Sequence, residues 1–220
     1  MLLSMNVIEL FSSIDGEGKR QGFLTTFLRL HDCNIRCSYC DTLYSYGPES
    51  TFESMSVQAV ADVIEQLGNH RITVTGGEPL LQETAVIELI DELTRRNPGY
   101  DFNIETNGTI IPSFHRDNVW FTYDYKMPSS LAEEAMNLDI FKVATPADII
   151  KFVVGSMQDL DRMDEILKTY PTDAQIFVSP VWGNIEGATI VEYMKAHNWQ
   201  NVRFQLQIHK FIWDPDAKGV

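Results

Sequence analysis

Cysteine is scarce in this chain: three residues in 220, all between positions 33 and 40. An odd, clustered set is no disulfide framework. In a reducing compartment such a cluster points to metal or redox chemistry. Long apolar runs are also missing, and none approaches the roughly 18 residues that a membrane helix needs. The opening Met1-Leu2-Leu3-Ser4-Met5-Asn6 has neither a basic n-region nor an extended apolar stretch. No secretory leader is therefore expected, and the chain reads as cytoplasmic. Basic residues are outnumbered, 17 against 31 acidic, for a net charge of −14. Phosphate backbones are held by clustered Lys and Arg, so direct nucleic-acid binding is not expected. Charge of this sign serves solubility. A carboxylated substrate would have to meet local cations inside the site. No internal repeat, linker or low-complexity tract breaks the chain.

What is present is enough to build a core. Hydrophobic residues make up 44% of the sequence, an ordinary globular share. Runs rich in Val, Ile, Phe and Thr at 23–31, 71–75, 101–106, 119–125, 149–154, 175–179 and 202–208 read as strands. Stretches at 57–67, 82–96, 130–137, 158–170 and 186–197 read as helices. In the second of these Val86, Leu89, Ile90 and Leu93 share one face at the helical period. Ser56 and Ser129 are placed to cap helix starts. Alternation of strand and helix predicts an α/β fold with a mainly parallel sheet covered by helices. Six to seven strands would form a partial (β/α) TIM-like barrel, with the site at the strand C-terminal ends. The expected organisation is one domain over residues 1–220, with a short tail at 211–220. The least regular stretches are 44–53 and the end from Trp213 onward.

The chemistry concentrates in Cys33-Asn34-Ile35-Arg36-Cys37-Ser38-Tyr39-Cys40, directly after the first of these strands. Three thiolates on one short loop suit three irons of a [4Fe–4S] cubane, since clusters are held by Cys at such spacings. The fourth iron is then left open to a small molecule bearing an amine and a carboxylate. The alternative is zinc, which prefers four closed ligands. Here His31 or Asp41 would have to complete the set.

The C-x3-C-x2-C spacing, with Tyr39 before the last cysteine, resembles the radical S-adenosylmethionine superfamily. Thr75-Gly76-Gly77-Glu78-Pro79 strengthens the resemblance, as does Glu105-Thr106-Asn107-Gly108 after the next strand. Paired glycines at a strand end let the backbone approach a ligand closely. The resemblance implies that a reduced cluster cleaves S-adenosylmethionine and that a 5′-deoxyadenosyl radical takes a hydrogen from substrate. The cofactors carry the difficult step, and the protein supplies geometry and exclusion of water.

Four further segments, in this order, are similar to the 7-carboxy-7-deazaguanine synthase family of the queuosine (tRNA modification) pathway. They are Glu9-Leu10-Phe11-Ser12-Ser13-Ile14-Asp15-Gly16-Glu17-Gly18, Phe27-Leu28-Arg29-Leu30, Cys40-Asp41-Thr42 and Gln207-Ile208-His209-Lys210. That family implies a carbon–nitrogen lyase. It contracts 6-carboxy-5,6,7,8-tetrahydropterin to 7-carboxy-7-deazaguanine with loss of ammonia, using S-adenosylmethionine catalytically and requiring Mg2+. The implied metal ligands are Cys33, Cys37 and Cys40 for the cluster and Thr42 for Mg2+. The implied cofactor contacts are Tyr39, Cys40, Asp41, Gly77, Glu78, Asp124, Tyr125 and Lys126. The implied substrate contacts are Ile14, Asp15, Gly16, Glu17, Arg29, Thr75 and His209. Arg29 offers a fork that suits a carboxylate. The Ser179-Pro180 pair is expected to line the same cleft. Asp15 stands where many members carry Gln, and Asp124-Tyr125 where many carry Ser-Pro. Partners implied are an electron donor such as flavodoxin or ferredoxin and a second copy in a homodimer. An activase that makes a glycyl radical on a protein shares the cysteine loop and the glycines. A non-catalytic metal- or redox-sensing module is a third reading.

Overall fold

The computed structural model describes residues 3–220. Met1 and Leu2, which open the leader reading, lie outside the described residues. Its centre is a sheet in the order β3-β1-β2-β4-β5-β6-β7-β8-β9. The strands are β1 (Ser4–Ile14), β2 (Leu24–Leu30), β3 (Glu53–Ser56), β4 (Arg71–Gly76), β5 (Asp101–Thr106), β6 (Val119–Tyr125), β7 (Ile149–Val154), β8 (Gln175–Pro180) and β9 (Val202–Phe204). From β2 to β9 every neighbouring pair is parallel, while β1 runs antiparallel to both β2 and β3. This is the mostly parallel α/β sheet of a partial TIM-like barrel. The helices are α1 (Val57–Leu67), α2 (Glu83–Arg96), α3 (Ile140–Val143), α4 (Met157–Thr169), α5 (Gly187–Ala196) and α6 (His209–Ile212). Among the described residues no helix is long and apolar enough to cross a membrane.

Strand period 2 explains where the core sits and where chemistry becomes possible. Leu28 and Leu30, Ile72 and Val74, Phe102 and Ile104, Phe121 and Tyr123, Ile150 and Phe152 all join the main hydrophobic cluster. So do Val86, Leu89, Ile90 and Leu93 of α2, each essentially inaccessible to solvent. The intervening positions face the barrel interior and are largely polar: Arg29, Thr73, Thr75, Asn103, Glu105, Thr122, Asp124 and Lys151. A parallel sheet covered on both sides ordinarily reads as continuous apolar runs. Here one face is given over to a site.

All seven predicted strands exist, and the sheet gains β1 and β3. Ser56 caps α1 as expected, its hydroxyl accepting from the Ala59 amide at 3.2 Å. Two expectations need correction. No helix spans 130–137; two 3-10 turns, Pro128–Ser130 and Glu133–Ala135, stand there instead. Leu131 adopts a left-handed φ of 59° that interrupts helical hydrogen bonding. The carbonyls of Ser129 and Ser130 accept from the Ser38 hydroxyl (2.6 Å) and amide (2.9 Å). Ser129 therefore does not cap a helix; its amide and hydroxyl donate to Asp159. The last strand also stops early, at Phe204 rather than 208. The Gln205 amide still donates to the Val178 carbonyl of β8 (2.9 Å), but its side chain and the residues up to 208 bond the segment after β1. The Gln205 side chain accepts from the Gly18 amide (2.7 Å), and Ile208 donates to the Gly16 carbonyl (3.1 Å). His209 consequently opens α6 instead of ending a strand.

Candidate active site

The C-terminal ends of β2, β4, β5, β6 and β7 surround one cavity, and the cysteine loop forms one wall of it. The loop begins at Asp32, which holds a left-handed φ of 78° while its carboxylate accepts from the Cys33 amide at 2.8 Å. The glycine segment of β4 clamps this entry. The Gly77 amide donates to Leu30 (3.1 Å) and the Glu78 amide to Asp32 (2.7 Å). A Cβ on Gly77 would run into the Asp32 carbonyl, so only glycine allows the approach. Glu78 sits behind the wall, fully buried, and lines no part of the cavity. Its carboxylate accepts from Thr106 Oγ1 (2.9 Å), the Asn107 amide (2.7 Å) and the Leu80 amide (2.9 Å). It ties the end of β4 to the end of β5. Asn107 in turn donates to Cys33 Sγ at 3.6 Å.

Cys33, Cys37 and Cys40 all line the cavity as free thiols. They do not converge on one point: among the described residues no three His, Cys, Asp or Glu side chains could hold a single metal ion. A cubane does not ask for such a point, because each thiolate takes a different iron. Burial pushes the Cys37 thiol up to about 11 and raises Cys33 as well. Free of metal these thiols stay protonated and weakly nucleophilic, which suits ligands whose charge is drawn out by iron.

The interior supplies the cations that the overall charge withholds. Lys126 Nζ lies 3.0 Å from Asp124 Oδ2, and Lys151 Nζ lies 3.5 Å from the same oxygen and 3.1 Å from Glu17 Oε2. Burial opposes the charge on both lysines, yet Asp124 beside Lys126 and Glu17 with Asp124 beside Lys151 hold them protonated. Asp124 Oδ1 is buried without a hydrogen-bond partner, an acceptor that a ligand hydroxyl or ammonium would satisfy. Tyr125, one residue on, points the other way. It is buried against Phe141 and Phe152, and its hydroxyl lies 3.3 Å from Glu133.

Ile14, Asp15, Gly16 and Glu17 also line the cavity, with Thr75, Arg29 and His209. Gly16 lies so close to the His209 ring that a Cβ there would strike Nδ1. Burial lowers the His209 pKa, leaving a neutral imidazole at neutral pH. The Asp15 carboxylate is directed into a buried network: Arg20 Nε at 3.1 Å, Thr25 Oγ1 at 3.2 Å and Thr73 Oγ1 at 3.4 Å. Tyr39 donates to the Val153 carbonyl at 3.3 Å. Asp41 pairs with Lys210 of α6 at 3.5 Å, and Thr42 Oγ1 sits 3.7 Å from Cys40 Sγ. Ser179 and Pro180 do not line the cavity; Val181 and Trp182 take that place. The tail does reach it, with residues 214–220 along the mouth and Lys218 Nζ 4.2 Å above the Tyr44 ring.

Lys151 had no role in the sequence reading, and Glu105 entered it only as part of the segment Glu105-Thr106-Asn107-Gly108. Lys151 interrupts the apolar run of β7, and that interruption was its signal. Glu105 faces the cavity from β5. Burial raises its pKa to about 7, opposed by Lys151 and helped by Glu17, Asp15 and Asp124. Its folded value thus exceeds the ordinary 4.5. The stability linked to this group is fully present below about 4.5 and is lost as pH rises through about 7. Glu105→Gln should therefore be the more stable protein at pH 8.5, by on the order of 1–2 kcal/mol after allowance for the solvated cavity. The difference should close as pH falls toward 4.5. Denaturant titrations at several pH values check this, and a gap that ignores pH would contradict it.

Comparisons with known proteins give the chain its family and its fold. The profile of the radical SAM superfamily matches residues 29–169. A 7-carboxy-7-deazaguanine synthase of Clostridium acetobutylicum is 37% identical, covering 99% of this chain and 100% of the relative. One from Methanospirillum hungatei is 38% identical, covering 96% of this chain and 86% of the relative. The crystal structure of QueE from Escherichia coli superposes with a TM-score of 0.69 at 24% identity, over 92% of this chain and 93% of that one, and supports the fold.

Proposed function

Because the chain belongs to the radical SAM superfamily and, within it, to the 7-carboxy-7-deazaguanine synthase family, we propose the following division of labour for its residues. The reaction is the radical ring contraction of 6-carboxy-5,6,7,8-tetrahydropterin to 7-carboxy-7-deazaguanine and ammonia, in queuosine and 7-deazapurine biosynthesis. The enzyme is a lyase that works with a [4Fe–4S] cluster and S-adenosylmethionine. The observation that carries the reading is the sharing of one cavity by three thiols, the glycine segment and an interior array of cations and carboxylates. When bound, the reduced cluster and S-adenosylmethionine supply the radical that removes a substrate hydrogen.

Cys33, Cys37 and Cys40 hold the cluster. The backbone of Gly76 and Gly77, together with Tyr39, Cys40 and Asp41, takes the methionine end of the cofactor. Asp124, with its free buried oxygen, and Lys126 take its polar groups. Glu78 and Tyr125 act from behind the wall. On the substrate side, Arg29 meets the carboxylate, Thr75 and His209 contact the heterocycle, and the backbone of 14–16 lies along it. Glu17 and Glu105 offer acceptors for the donor-rich edge of the pterin, and Lys151 a donor. Residues 1–220 act as one catalytic unit, with 211–220 covering its mouth. All three cysteines are taken by the cluster in this reading, and the cluster must be reduced before it acts. An external one-electron donor of the flavodoxin or ferredoxin class therefore completes the reading.

Mg2+ belongs to this proposal through Thr42. The ion takes few protein oxygens and keeps several from water or substrate. A hydroxyl beside the cluster loop, with the substrate carboxylate, meets that requirement. Thr42→Ala should leave the cluster absorbance unchanged and weaken the Mg2+ response of turnover by on the order of tenfold. A wild-type Mg2+ titration in that variant would remove Thr42 from the metal. The reaction itself is tested by oxygen-free incubation of reconstituted protein with reductant, S-adenosylmethionine, Mg2+ and 6-carboxytetrahydropterin. Mass spectrometry should find 7-carboxy-7-deazaguanine and ammonia release, with no macromolecule required. Deoxyadenosine formation only in the presence of a protein substrate would favour an activase.

A further inference from the structure

Arg29 is held by a device of its own. The register of β1 against β2 slips between Val7 and Glu9, and beyond the slip Glu9 stands directly opposite Arg29. Directly opposed residues of an antiparallel pair share a face, and an irregularity of this kind re-aims a side chain. Glu9 Oε1 accepts from Arg29 Nε at 2.6 Å and from the Tyr44 hydroxyl at 2.8 Å. Tyr44 comes from the turn after the cysteine loop and lines the cavity.

Only Nε of the guanidinium is thereby engaged. Among the described residues neither terminal nitrogen of Arg29 makes a hydrogen bond, and neither is a buried orphan. Arg29 lines the cavity, so its open fork is presented there. With Nε occupied, a carboxylate can be met only end-on, through the two terminal nitrogens, and the plane of that fork is set by Glu9. Glu9 itself does not line the cavity. Its negative charge behind the guanidinium weakens the attraction for an anionic ligand. The arrangement is favourable to such a ligand only if orientation outweighs that loss of field.

We propose that Glu9 and Tyr44 are positioning residues that hold the Arg29 fork end-on to the substrate carboxylate. This rests on the reading of the substrate as a carboxylated pterin. The bland alternative is a cross-strand ion pair that merely supports the sheet.

The two separate in a binding measurement on the reconstituted holoenzyme with S-adenosylmethionine and Mg2+, using the unreactive probes 6-carboxypterin and pterin, which differ only in the carboxylate. If the wild type does not prefer 6-carboxypterin, the substrate reading itself fails. Given that preference, Glu9→Ala should weaken 6-carboxypterin by on the order of tenfold and change pterin by less than about twofold. Glu9→Gln keeps an acceptor for Nε and should recover most of the loss. Tyr44→Phe should show a smaller loss with the same selectivity, and it decides the matter alone if Glu9→Ala does not fold. Equal weakening of both probes, no change in either, or tighter binding of 6-carboxypterin would overturn the proposal.

Discussion

Cys37→Ala is expected to abolish cleavage of S-adenosylmethionine while leaving the fold of the chain intact. The two halves of that expectation have separate physical grounds. Each thiolate of a three-cysteine loop takes its own iron, and the chain has no fourth cysteine to step in. The loop is set by contacts that do not involve the Cys37 side chain: Asp32 at its entry, Gly77 against it, and Ser38 on the Ser129–Ser130 carbonyls. Cys37 is half-buried on a loop outside the hydrophobic cluster, so its loss removes little packing. The variant should show the circular dichroism and melting temperature of the metal-free wild type, greatly reduced iron after reconstitution, and deoxyadenosine at background. Wild-type deoxyadenosine formation would exclude the cluster assignment.

Arg20→Met carries the largest expected loss of stability. Arg20 is 6% exposed, and four groups converge on it. Asp15 lies 3.1 Å away, Asp101 3.2 Å, the Ile72 carbonyl 2.9 Å and Thr73 Oγ1 2.8 Å, while its Cζ stands 4.5 Å above the Trp120 ring. Asp15 is 3% exposed, and burial already holds its pKa above the ordinary carboxylate value despite Arg20. Removing the cation leaves a buried carboxylate with only two hydroxyls to satisfy it. Breaking one partner of such a pair costs about 3–5 kcal/mol, on the order of a 10 °C fall in melting temperature for a chain of this size. Adding Asp15→Asn should restore a good part of that loss, because the stranded charge is what makes the single change costly. A single variant within about 1 kcal/mol of wild type would show that the network is not what anchors the segment after β1. In this network the Asp15 side chain is turned toward Arg20, Thr25 and Thr73.

How much of this was legible beforehand follows from what each residue depends on. The seven parallel strands were readable because Val, Ile, Phe and Thr cluster locally. β1 was not, because its sequence is broken by the slip at Val7–Glu9 and by serines at 12 and 13. β3 is only four residues long. The helix expected over 130–137 had suitable residues, but the carbonyls at 129 and 130 are taken by the cysteine loop, a tertiary demand that no local pattern carries. In the site, the cysteines and Gly77 were singled out by motif spacing and Arg29 and Lys126 by the family resemblance, and all of them line the cavity. The run 124–126, carried over as a block from the resemblance, divides. Along a strand neighbours face opposite ways, so Asp124 and Lys126 enter the cavity while Tyr125 between them packs outward. The same alternation would have pointed to Lys151, the one charge in a buried strand. The Glu9–Arg29–Tyr44 contact was beyond reach, since it depends on a register slip and on a turn after the cluster loop.

The central claim is that this loop leaves one iron corner open to a chelating sulfonium cofactor. Electron paramagnetic resonance of the reduced, oxygen-free reconstituted protein, read beside iron and sulfide analysis, addresses it directly. The expected result is about four irons and four sulfides per chain, with a spectrum that changes when S-adenosylmethionine is added. Zinc in place of iron and sulfide, or one spectrum with and without the cofactor, would contradict it.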